Sequence, residues 1–134
     1  MRRTGIDLEA EVSLKRGERA LLSRRITEAV ASLKDAAERN PREPEYAAML
    51  GFASLFDPVL PRSHRAQQAK KNARRALALA PDHPRAFAVL ALAEEALGDL
   101  AEARRAALSG LKAHPNSEVL RRVLGRLDRA HRGA

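Results

Sequence analysis

The chain has 134 residues, enough for one domain or one short stack of repeats, and its 45% apolar and 31% charged composition suits a folded domain. It contains no Cys, which excludes disulfides and thiol catalysis and leaves only His and carboxylates for any metal site. The 25 Lys and Arg against 17 Asp and Glu give a net charge of +8, a surface that attracts acidic proteins, anionic lipid or nucleic acid.

Ala, Leu and Arg dominate, a helix-former's composition. Apolar spacing predicts a first helix over 8–22, with Asp7, Glu9 and Glu11 standing where the apolar region of an export signal would be. A second helix over 26–39 stops before Pro41, and a third covers 44–56. The segment DPVLPRSH follows, stiffened by Pro58 and Pro61. A fourth helix over 63–79 carries most of a basic run and stops before Pro81. Helices over 84–97 and 100–113 flank a Gly98-Asp99 turn, and a seventh is expected over 117–130. The longest clean apolar run, Phe87 to Ala93, is far short of the roughly 20 residues a spanning helix needs. The sequence therefore reads as cytoplasmic, with no membrane span.

Two patterns repeat along the chain. Arg16-Gly17, Leu50-Gly51, Leu90-Ala91 and Leu124-Gly125 place a small residue after a helical position at intervals of 34, 40 and 34 residues. A small-x3-apolar-x2-small-x4-Pro pattern reads Ala29, Leu33, Ala36, Pro41, then Ala69, Ala73, Ala76, Pro81, then Ala103, Ala107, Gly110, Pro115. Its prolines lie 40 and 34 residues apart. Both patterns give a 34-residue unit with one six-residue insertion, which is the signature of a helical repeat array. Small residues let helix backbones approach closely, and a proline after each second helix ends it.

These residues resemble the tetratricopeptide repeat, whose unit is a pair of antiparallel helices. The third unit matches best, with Phe87-x2-Leu90-Ala91, Gly98-Asp99, Ala103, Gly110 and Pro115. The aromatic positions of the family are mostly Ser13, Ala20, Ala47, Ser54 and Glu94 here, so helix pairs are expected to pack through Ala and Leu. The resemblance implies an all-α, right-handed α-solenoid of about seven helices. Repeats fall at about 10–43, 44–83 (with the insertion near 57–64) and 84–117, and a capping helix spans 118–130. Together they form one domain over 8–130, flanked by tails at 1–7 and 131–134. The segment EPEYAAMLG also resembles repeat regions of larger bacterial regulatory or chaperone-type proteins.

In this family the concave face binds partners. Carried onto this chain, it implies a groove formed by Leu14, Met49, Phe52, Phe56, Arg85, Val89, Leu92, Arg122 and Arg126. Such a groove suits an amphipathic helix or extended peptide with an acidic flank. Phe52 and Phe56 serve either as groove floor or as core between units. The positions that capture a C-terminal carboxylate in some family members hold Leu14, Glu18, Glu45, Met49 and Val89, with only Arg85 basic, so that mode is disfavoured. Val59 and Leu60 of the insertion form either a lip beside the groove or a neutral surface loop.

A second candidate surface is the basic set Arg62, Arg65, Lys70, Lys71, Arg74 and Arg75, a polyanion-binding stripe that interleaves no stacking aromatic. Catalysis finds no support. His64, His83, His114 and His131 are isolated, with His83 and His114 at nearly equivalent repeat positions beside turn prolines, and no phosphate-cradling glycine loop occurs. The expectation is a non-enzymatic adaptor without cofactor or metal that binds another protein. The alternatives are a basic module for nucleic acid or another polyanion, and a self-associating subunit.

Overall fold

The computed structural model describes the backbone of residues 5–133 and the side-chain environments of 8–130. Seven helices follow one another: α1 Gly5–Leu22, α2 Ile26–Arg39, α3 Pro44–Ser54, α4 Arg62–Leu79, α5 Pro84–Ala96, α6 Leu100–Ala113 and α7 Glu118–Gly133. The first begins three residues before the expected start and the last runs three residues beyond the expected end. Of the expected tails, residues 1–4 and 134 lie outside the described residues. No helix among the described residues is long and apolar enough to cross a membrane.

The helices pair as α1 with α2, α3 with α4 and α5 with α6; α2, α4 and α6 then pack on the first helix of the next pair. Contacts of α3 with α5 and of α5 with α7 align every other helix in a second layer. This is an all-α, tetratricopeptide-like solenoid.

One turn recurs between pairs. The N–H groups of Asn40, Ala80 and His114 donate back to the carbonyls of Ala36, Ala76 and Gly110. A proline follows, where no N–H is needed. Then the N–H groups of Glu43, His83 and Ser117 return to the carbonyls of Asn40, Ala80 and His114. The side chains of Glu43, His83 and Ser117 accept from Glu45, Ala86 and Leu120 N–H, capping α3, α5 and α7. His83 thus starts a helix while His114 ends one. The two do not hold equivalent repeat positions: the counterpart of His83 is Ser117.

Within pairs the turns are three residues long, at 23–25 and 97–99. Arg24 (φ 59°) and Gly98 (φ 87°) occupy the same place in the left-handed region, which glycine enters at little cost and arginine does not. The middle turn is different. α4 is four residues longer than α6, the loop before it is four residues longer than 97–99, and α3 is two residues shorter than α5. The insertion therefore divides between a loop and an extra helical turn, so Arg62, Ser63 and His64 are helical rather than part of a lip. Helix α3 stops at Ser54 instead of 56 because the N–H groups of Leu55, Phe56 and Asp57 bond three residues back, tightening the last turn. The Asp57 carboxylate then accepts the Val59 N–H (3.1 Å), closing a turn ahead of Pro61.

The core is alanine-rich. Leu14, Leu33, Tyr46, Met49 and Leu50 fill the space between α1, α2 and α3. Beyond α3, the seams consist of Ala47, Ala48, Ala76 and Ala86, and of Ala69, Ala73, Val89 and Ala93. A Cβ on Gly110 would stand 2.7 Å from Leu120 Cδ1 and 2.8 Å from Phe87 Cβ, so three helices close on that position. On Gly125 of α7, a Cβ would meet nothing nearer than the Arg129 guanidinium at 3.5 Å. No described helix follows α7 to pack there.

Between α1 and α2, Ser13 donates to the Asp35 carboxylate and Arg39 Nε lies 2.9 Å from it. The hydroxyl and the guanidinium together hold that carboxyl below its usual range, and Asp35 raises Arg39 in turn.

Candidate functional site

The cleft that brings the expected residues together lies between α3, α5 and the start of α7. It has a volume of about 520 Å³. Helix α3 contributes Glu45, Met49 and Phe52; α5 and its cap contribute His83, Pro84, Arg85, Ala88, Val89 and Leu92; Ser117 and Val119 close the far side. The α5 residues share a face because Arg85, Ala88, Val89 and Leu92 recur at helical spacing. The floor is set by packing: Val89 is fully buried and Met49 and Ala88 nearly so. Phe52 and Leu92 are half-buried, and Val119 is exposed at the rim.

A polar cluster sits at the mouth. The His83 ring accepts the Ala86 N–H through Nδ1 (3.2 Å), so a neutral ring carries its proton on Nε2. That nitrogen lies 3.3 Å from Glu45 Oε2, and Arg85 makes an ion pair with Glu45 Oε1. Glu45 therefore engages both neighbours, and the single basic side chain of the cleft is already matched by a carboxylate.

Five of the nine groove residues expected from sequence, Met49, Phe52, Arg85, Val89 and Leu92, line this cleft. The other four do not. Leu14 is buried in the core with Leu33 and Tyr46, and does not line the cleft. Phe56 lies past the end of α3, 50% exposed, with its ring edge-on to Phe52 at 5.3 Å. Phe52 combines both expected roles, since it packs on Ala69, Ala73, Val89 and Ala93 and also lines the cleft. Arg126 is drawn to Glu95 of α5 (2.9 Å), and Arg122 is exposed on α7 away from the cleft lining. Val59 is 70% exposed, and neither it nor Leu60 lines the cleft.

The sequence reading passed over His83, Pro84 and Ser117 as cleft residues. They occupy the capping turn, whose equivalence shows in the 34-residue spacing of His83 and Ser117.

The basic set does not form one stripe. Lys70 turns inward, with Nζ 3.1 Å from the buried Glu94 carboxylate of α5. Arg65 Nε donates to the Leu60 carbonyl (2.8 Å). Arg62, Lys71, Arg74 and Arg75 are exposed and have no carboxylate partner among the described residues. No group of three His, Asp or Glu among the described residues is placed to hold a metal ion.

Residues 84–127 match the family model of the tetratricopeptide repeat. No curated protein sequence matches the chain. Among solved structures, the chain is similar to the TPR domain of Arabidopsis OM64, with 21% identity and a TM-score of 0.82 over 94% of this chain and 99% of that one. It is similar to the Sgt2 TPR domain from Aspergillus fumigatus at 21% identity and a TM-score of 0.82, covering 98% and 85%. The first TPR of Spaghetti (RPAP3), bound to an HSP90 peptide, gives 20% and 0.80, covering 92% and 96%. At these identities the likeness is one of fold. The third unit thus matches the tetratricopeptide-repeat family model, and the whole stack has the fold of tetratricopeptide-repeat domains.

Proposed function

We propose that the chain is a protein-interaction module that holds an apolar segment of a partner protein in the cleft between α3, α5 and α7. Several similar folds are described with peptides: the first TPR of Spaghetti with the HSP90 peptide SRMEEVD, the second TPR domain of human RPAP3 with an HSP70 peptide, and the TPR2B domain of yeast Sti1 in a pHsp70 complex. The observation that carries the reading is an apolar floor of Met49, Phe52, Val89 and Leu92 beside a small polar mouth. Each apolar side chain that a partner buries there contributes about 1.5–3 kcal/mol. Directionality comes from the Glu45, His83 and Arg85 cluster.

The favoured occupant is an amphipathic helix or extended segment rather than a chain terminus. A C-terminal carboxylate needs unmatched cations, and Arg85 is already paired with Glu45. The test is a displayed peptide library selected on the full chain, with the enriched peptides measured against Leu92→Glu, Val119→Glu and the α6 surface control Leu108→Glu. We expect peptides with apolar residues at helical or alternate spacing. Affinity should fall at least about tenfold in the two cleft variants and stay unchanged in the control. The exposed Val119→Glu should melt like the wild type, and it carries the test should Leu92→Glu lose helicity, since Leu92 packs on the core beside α6. Equal binding by the three variants would overturn the assignment, and selection of free C-terminal carboxylates would overturn the choice of occupant.

A further inference from the structure

Three quarters of the net charge of this chain resides on one helix. The 18 residues of α4 include Arg62, Arg65, Lys70, Lys71, Arg74 and Arg75 and no carboxylate. They hold six of the eight net positive charges, and the rest of the chain balances 19 basic against 17 acidic side chains. Elsewhere several arginines are matched, although Arg19, Arg24, Arg42, Arg122 and Arg129 form no ion pair among the described residues. Arg39 pairs with Glu9 and Asp35, Arg85 with Glu45, Arg104 with Asp128, Arg105 with Glu102, and Arg126 with Glu95.

On α4 the inward and outward charges separate. Ala66, Ala69, Asn72, Ala73 and Ala76 are buried, and Lys70 is consumed by Glu94. At 100° per residue the opposite face centres on Lys71, with Arg74 and Arg75 one turn further on and His64, Gln67 and Gln68 before it. Every exposed residue from Arg62 to Arg75 is Arg, Lys, His, Gln or Ser. All of these donate hydrogen bonds, His64 carries the one aromatic ring among them, and the exposed Leu79 follows one turn past Arg75. Like charges at three- and four-residue spacing cost a few tenths of a kcal/mol per pair in the free protein, a cost removed when a row of anions lies along them.

We propose that the outward face of α4 binds the phosphate backbone of nucleic acid without reading bases. The outward cations Lys71, Arg74 and Arg75 span about 6 Å of helix, with the exposed Arg62 flanking them at the start of α4, and phosphate contact needs only cations and hydrogen-bond donors. Base stacking would require several aromatic side chains, and the face offers only His64. Insertion into a lipid surface would require an apolar face, and that of α4 is buried in the core. A protein partner would want a large apolar or aromatic anchor at the centre of its interface, whereas here Leu79 lies one turn past the last cation. The proposal is independent of the cleft.

The test is fluorescence anisotropy of a labelled 20-base-pair DNA duplex with the full chain between 50 and 200 mM salt. Lys71→Gln/Arg74→Gln/Arg75→Gln is compared with Arg104→Gln/Arg105→Gln, after equal helicity is confirmed by circular dichroism. The wild type and the α6 variant should show the same slope of log affinity against log salt, and the α4 triple variant a slope shallower by about 2.7 with at least tenfold weaker binding at 50 mM. Should the triple variant lose helicity, Arg75→Gln alone is expected to reduce the slope by about 0.9. Absence of binding by the wild type at 50 mM, or the same slope in every variant, would overturn the proposal. So would tighter binding to phosphatidylserine vesicles or to poly-glutamate than to the duplex, either of which would assign the face to lipid or to acidic protein.

Discussion

Helices α4 and α6 hold the same place in consecutive repeats, and their inward faces are nearly interchangeable. Ala69, Ala73 and Ala76 of the one correspond to Ala103, Ala107 and Gly110 of the other, all buried. The two helices share one cross-helix ion pair, Lys70–Glu94 on α4 and Arg104–Asp128 on α6, but their outward faces differ. On α6, Arg104 and Arg105 find Asp128 and Glu102, while on α4 Lys71, Arg74 and Arg75 find no carboxylate among the described residues. The repeat frame thus constrains one side of a helix through packing and leaves the other free to acquire a charge pattern of its own.

That separation makes predictions in order of size. Ala73→Leu and Ala107→Leu should each cost about 3 kcal/mol, because both positions lie against neighbouring alanines with no room for three more carbons. Denaturant unfolding of the two variants checks this. A large loss in only one would show that the inward faces are not equivalent. Lys70→Met should cost about 2 kcal/mol by leaving the Glu94 carboxylate buried and unmatched, more than breaking its repeat counterpart Arg104–Asp128, which is exposed to solvent. Adding Glu94→Leu should restore most of the loss, and no restoration would assign the cost to Lys70 packing instead. The smallest effect tests the surfaces. Arg75→Glu puts a carboxylate four residues after Lys71 and should stabilise by about 0.3 kcal/mol. Arg105→Glu breaks the pair with Glu102 and should destabilise by a similar amount. Opposite signs in matched melting curves would sharpen the comparison, and equal signs would break it.

Much of the fold was readable because its signals are local. Prolines at 41, 81 and 115 end helices wherever they occur, and the left-handed Gly98 with Asp99 at the next cap makes a turn by backbone chemistry alone. The cleft was half readable. The helical spacing of Arg85, Val89 and Leu92 puts them on one face, but nothing in the spacing says that Leu14 faces the core rather than the cleft. Nor does it say that the ring of Phe56 lies beyond the end of α3, a consequence of how the turn before Pro58 closes.

The sequence by itself determined the number of described helices, where α1, α2, α4 and α6 stop and how the helices pair, since capping, proline geometry and small-residue periodicity act within a few residues of the chain. Tertiary structure alone decided which charges remain available. Lys70 and Lys71 are neighbours in sequence, yet the helix rotates them about 100° apart. One reaches a buried carboxylate on α5, and the other points to solvent. That division depends on the rotation of α4 against α5, set by alanine contacts between segments distant in the chain.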